Sequence, residues 1–106
     1  MYYQPSINAQ QAKAARRSLT KAGRMFYVYL LQSILRPQEH YVGFSEDLKE
    51  RLKDHNSGKS VHTNKFKPWK LVGYFAFSDI QTAKDFEYYL KTGSGRAFLN
   101  KHFLKK

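Results

Sequence analysis

Three runs of aromatic and β-branched residues, FYVYLL (26–31), HYVGF (40–44) and WKLVGYFAF (69–77), leave this chain few ways to fold. Such residues favour the pleated, half-buried surface of a strand. The link between the first two runs contains Arg36-Pro37 and fits a hairpin with a longer loop. The third run alternates Trp69, Leu71, Gly73, Phe75 and Phe77 against Lys70, Val72, Tyr74 and Ala76, as a strand buried on one face would. Between the second and third runs a helix is predicted over 46–56. Ser45 is its expected N-cap, Glu46 and Asp47 face the first-turn dipole, and Gly58 is its C-terminal stop. Ser78 and Gln81 form an S-x-x-Q capping box that opens a second helix running to about Lys91. The TGSG stretch breaks it, and a short helix over 96–103 closes the chain. The order is ββαβαα, an α+β fold without internal repeats.

At 106 residues there is room for one modest core, and 42% hydrophobic with 16% aromatic content is too rich for a disordered chain. The absence of cysteine excludes disulfides, thiolate metal sites and cysteine nucleophiles, which fits an intracellular protein. No apolar run approaches the ~20 residues a membrane span needs, so no membrane association is expected. Nineteen Lys and Arg against eight Asp and Glu give a net charge of +11, and a polyanion is the natural partner of such a surface. Residues 1–24 hold five of those cations, no acid and few large apolar groups, and read as a basic, flexible extension. Its composition fits a transiently helical segment and faintly resembles an organelle presequence, with a remnant or an upstream start ahead of a natural beginning at Met25 as the alternatives. The folded domain is expected over 25–106, and it is basic in its own right.

In the first predicted helix Leu48 and Leu52 form an apolar stripe, and Arg51 and His55 border it one turn apart. Arg51 in such a place either snorkels, pairs with a carboxylate or serves a ligand. In the second, Glu87 falls in one arc with Ile80, Ala83, Phe86 and Leu90. A carboxylate held against apolar surface needs a cation, hydrogen bonds or a metal, because desolvating it alone costs several kcal/mol. Tyr29 and Tyr41, taken singly, are ordinary sheet tyrosines. Two tyrosines, an arginine, a histidine and a glutamate on elements that must pack together are less ordinary.

That ordered set resembles the GIY-YIG nuclease superfamily, and within it the small single-domain branch similar to YhbQ. Tyr27-Val28-Tyr29 stands where the family has GIY, and Tyr41-Val42-Gly43 where it has YIG. Arg51 follows Tyr41 by ten residues, His55 follows Arg51 by four, and Asn100 follows Glu87 by thirteen. Tyr27 replaces the first glycine, and valine twice replaces isoleucine. The resemblance spans 25–103 and implies a three-stranded antiparallel sheet flanked by helices. It implies a metal-dependent DNA endonuclease of repair, recombination or structure processing, in the cytoplasm or at the nucleoid, with RNA also open as substrate. A nucleic-acid-binding module without turnover on the same scaffold is the rival reading. The resemblance assigns Tyr29, Tyr41, Arg51, His55, Glu87 and Asn100 to the catalytic site, with Glu87 holding Mg²⁺ or Mn²⁺.

Each of these residues suits a task in phosphodiester hydrolysis, where positioning and electrostatics supply most of the acceleration. Arg51 offers a planar fork to the phosphate. One carboxylate can suffice for Mg²⁺, which keeps several waters and takes other oxygens from the substrate. Tyr29, helped by Tyr41 or His55, would orient or deprotonate water, though a phenol of pKa ~10 is a base only if that value is lowered or the task is shared. Lys59, Lys65, Lys67 and Lys70 after the first helix, and Lys91, Arg96, Lys101, Lys105 and Lys106 near the end, are expected to track the phosphate backbone. Phe66 and Trp69 are read either as base-stacking platforms or as packing residues, and His40, His62 and His102 as surface or packing residues. With no second domain expected, selectivity would come from a partner protein or a homodimer.

Overall fold

The computed structural model describes residues 24–104. Of the predicted extension 1–24, only Arg24 falls within them, and its guanidinium lies 3.1 Å from the carboxylate of Glu46. Strands β1 (Phe26–Ser33), β2 (His40–Ser45) and β3 (Trp69–Phe77) form an antiparallel sheet in the order β2-β1-β3. Helix α1 (Leu48–Ser57) packs on one face. Helices α2 (Ile80–Leu90) and α3 (Gly93–His102) pack on the other. This is the expected ββαβαα architecture.

Two cores result, one on each face of the sheet. Tyr29, Leu31 and Trp69 meet the half-buried Leu48 and Leu52 of α1. Val28, Leu30, Phe75, Phe86, Leu90 and Leu99 make the larger core under α2 and α3. The expectation that β3 buries a single face is overturned. Its register with β1 shifts between Leu30 and Leu31, so Leu30 pairs with Gly73 but Leu31 pairs with Leu71. The extra residue reverses the alternation: Phe75 and Phe77 point under α2, whereas Trp69 points under α1.

The helix starts also differ from expectation by a few residues. Ser45 does not cap α1, because its hydroxyl is engaged in a tight turn with the backbone N–H and carbonyl of Asp47. Asp47 caps instead, accepting from the Glu50 N–H at 3.0 Å. Likewise Asp79 caps α2 through the Thr82 N–H, while Gln81 reaches forward to Asp85 and leaves the capping box unmade. The TGSG stretch is the first turn of α3, capped by Thr92, and the helix starts earlier than the predicted 96. Gly95 is required there because a Cβ would collide with the Tyr89 carbonyl at the end of α2.

Candidate active site

Tyr29 stands on the central strand directly opposite Gly43. A Cβ on residue 43 would overlap the Tyr29 phenol ring and hydroxyl, so the glycine of the Tyr-Val-Gly motif is the space into which the ring lies. The ring is 3% exposed and its hydroxyl is 2.8 Å from His55 Nε2. His55, in the last turn of α1, is 1% exposed. The Tyr41 ring completes the group, with its centre 5.0 Å from the His55 ring and 6.3 Å from the Tyr29 ring.

The other nitrogen of His55, Nδ1, lies 2.6 Å from the hydroxyl of Thr63. Thr63 is buried in the loop after α1, and its carbonyl accepts from Trp69 Nε1 at 2.9 Å. Trp69 is in turn held at its backbone N–H and carbonyl by the side-chain amide of Asn56, the neighbour of His55. The chain Tyr29, His55, Thr63, Trp69 therefore joins β1, α1, the loop and β3. Thr63 is absent from the predicted site. The only sequence signal for it is that a buried imidazole needs a partner on each nitrogen.

Burial, chiefly, and then Tyr41 raise the Tyr29 pKa above the ordinary phenol value, with Glu87 and Asp54 adding to the rise and Arg51 opposing it. Burial followed by Arg51 lowers the His55 pKa below its ordinary 6.5, against Asp54. At neutral pH both partners are thus uncharged. The condition under which Tyr29 alone would be a base, a lowered pKa, is not met.

Arg51 is exposed on α1 and edges a hollow of about 220 Å³ with Asp54, Lys59 and Ser60. Glu87 lies on the flank of α2. The buried arc of that helix is Ala83, Phe86 and Leu90, and Ile80, expected in the same arc, is 45% exposed. The Glu87 side chain is 21% exposed and 3.1 Å from Lys91 Nζ, the cation its half-buried position calls for. Arg51 and Glu87, on helices that pack on opposite faces of the sheet, both bear electrostatically on the Tyr29 hydroxyl, with opposite sign.

Asn100, exposed on α3, lines a cleft of about 550 Å³ together with Tyr41, Lys91 and Arg96. Lys59, Lys65, Lys67 and Lys70 are exposed on and after the loop that follows α1, and Arg96 and Lys101 are exposed on α3. Trp69 is buried in the α1-side core, so its reading as a base-stacking platform is overturned. Phe66 is half-buried with the Lys65 ammonium 5.5 Å from its ring centre. His62 and His102 are on the surface and His40 is half-buried in β2.

Among the described residues no three His, Asp or Glu side chains converge as a ligand set. Glu87, the carboxylate expected to hold a divalent ion, is partly exposed and paired with a Lys91 side chain that is itself half exposed. That suits an ion that takes most of its ligands from water and phosphate.

A three-stranded antiparallel sheet with helices on both faces, in which tyrosines from two adjoining strands meet a histidine of α1, is the arrangement of the GIY-YIG type of catalytic domain. The chain belongs to this nuclease family: the GIY-YIG catalytic domain matches residues 25–102. It is 32% identical over 92 residues to a UPF0213 protein of Lactiplantibacillus plantarum, covering 81% of this chain and 89% of that one. A UPF0213 protein of Clostridium perfringens is 35% identical over 68 residues, covering 63% and 71%. The structure-specific endonuclease subunit SLX1 of Debaryomyces hansenii is 34% identical over 74 residues, which is 62% of this chain but 21% of that protein.

Proposed function

We propose that this chain is a metal-dependent endonuclease hydrolysing phosphodiester bonds in DNA, in repair, recombination or processing of branched structures. The observation that carries this reading is the buried Tyr29–His55 hydrogen bond with the Tyr41 ring packed on it, in a chain that the GIY-YIG catalytic domain matches over residues 25–102. Arg51 would grip the scissile phosphate with two parallel N–H groups. Glu87 would hold Mg²⁺ or Mn²⁺, which when bound supplies charge neutralisation at the phosphoryl oxygens.

Tyr29 orients the attacking water through its hydroxyl, and its proton has somewhere to go without a free phenolate. With His55 carrying its proton on Nδ1 and donating it to Thr63 Oγ1, Nε2 accepts from Tyr29. A proton leaving water then moves onto the Tyr29 oxygen as the phenol proton moves onto His55 Nε2. Tyr41 packs against one side of the pair.

The test is cleavage of single-stranded, duplex and branched DNA, and of RNA, with Mg²⁺ or Mn²⁺, beside Arg51→Ala and Glu87→Ala. Each substitution should lower the rate by at least about 10²-fold, the cost of removing one fixed electrostatic stabiliser. Equal nicking by wild type and both variants would sink the reading. The Glu87–Lys91 ion pair supports a second reading, a nucleic-acid-binding module in which this carboxylate is already neutralised. That reading predicts salt-sensitive binding with no metal-dependent turnover. For either, a partner chain or second copy would supply selectivity, in the cytoplasm or at the nucleoid.

A further inference from the structure

The cleft beside Tyr41 has a feature that gripping a phosphate does not need. Its lining includes four buried aliphatic side chains, Leu30, Val42, Leu90 and Leu99, which we take as its floor. Anions are held by cations and N–H donors, whereas an aliphatic lining suits the apolar face of a base. The rim supplies the rest of a nucleotide's requirements. The Gln38 and Asn100 amides both donate and accept, and the Glu39 carboxylate accepts, which matches the mixed edge of a nucleobase. Lys91 and Arg96 place two cations where the attached phosphate would sit. The volume of about 550 Å³ is within the range of sites that enclose a small organic molecule. Tyr41 links this cleft to the Tyr29–His55 pair, and Lys91 links it to Glu87.

We propose that this cleft seats one unpaired nucleotide of the substrate strand next to the scissile phosphate, with the base on the aliphatic floor and its phosphate between Lys91 and Arg96. The inference rests on the nuclease reading for its orientation. It narrows the substrate to strands with an unpaired nucleotide at the cut, because a base still paired to its complement has its pairing edge engaged and cannot offer it to the Gln38 and Asn100 amides.

The test uses the full-length ¹⁵N-labelled protein in EDTA, titrated with deoxyadenosine 5′-monophosphate and, separately, inorganic phosphate. The nucleotide should shift the amides of Val42, Leu90, Leu99 and Asn100, and bind at least about tenfold more tightly than phosphate, a difference of about 1.4 kcal/mol. Arg96→Ala should weaken the nucleotide by about tenfold. Leu104→Trp, which fills the cleft from the half-buried C-terminal side, should abolish it, with thermal unfolding as the check that the fold is retained. Phosphate binding as tightly as the nucleotide, shifts confined to other surfaces, or affinity unmoved by Arg96→Ala would each overturn the proposal. Cleavage that depends on Arg51 and Glu87 but runs equally fast on single-stranded and fully paired DNA would overturn the nucleotide pocket and leave the nuclease. Nucleotide binding in the cleft without any cleavage would keep the pocket and remove the nuclease.

Discussion

Gly43 and Thr63 decide whether the Tyr29–His55 pair can exist, one by leaving space and the other by filling a hydrogen-bonding requirement. Gly43→Ala drives a methyl group into the Tyr29 ring and should cost about 1–3 kcal/mol, the range for overpacking a tight core, read by urea denaturation. Thr63→Val keeps the shape but leaves His55 Nδ1 without a partner. It should cost about 1–3 kcal/mol of stability. If Thr63 steers the proton path, Thr63→Val should also lower kcat about tenfold or more with KM held, and Thr63→Ser should restore it. A Ser variant as slow as the Val variant would mean that Thr63 only packs. The strands and helices that carry Tyr29, Tyr41, Arg51, His55 and Glu87 were legible because each has its own period of apolar residues. Thr63 was not, since it lies in an irregular loop whose path neither a period nor a cap reveals.

At the scale of elements, the existence and order of all three strands and three helices and the starts of the strands were legible, while the starts of the helices were not. Serine and aspartate compete for the same capping role, and which one wins depends on whether the serine is already engaged in a turn, as Ser45 is with Asp47. The turn between α2 and α3 was misread for a related reason. A glycine cluster signals a break, yet Gly95 is there to let the second helix approach the end of the first. The clamp that fixes α1 to the start of β3 is the Asn56 amide on the Trp69 backbone. Asn56→Ala removes both bonds and should destabilise by about 1–3 kcal/mol. Because His55 is the next residue, the same variant should lower cleavage more than an exposed substitution such as Lys53→Ala on the same helix, and equal activity of the two would detach the clamp from the site.

For the whole molecule, the net charge of +11 makes DNA binding a salt-dependent property. A plot of log affinity against log salt should fall with a slope of several units, and a flat plot would remove the phosphate backbone as the ligand. Protonation gives a second test. His55 has a folded pKa below its ordinary 6.5, so the unfolded chain takes up that proton first as pH falls. Stability should be complete above 6.5 and decline below it by at most about 1.4 kcal/mol per pH unit until the folded value is passed. His55→Gln should remove that part of the slope in urea midpoints taken between pH 5 and 7.5. The irregularity in β3 has a consequence for how such a chain can change. Trp69 and Phe75, an even number of positions apart, face opposite sides of the sheet because one residue between them is surplus to the pairing. Deleting the one surplus residue would leave a regular strand with the indole still on the α1 side, whereas deleting two would turn it over to the wrong side of the sheet, release the Thr63 carbonyl and slacken the imidazole. Strand length here is constrained by parity, and a histidine fourteen positions upstream depends on it.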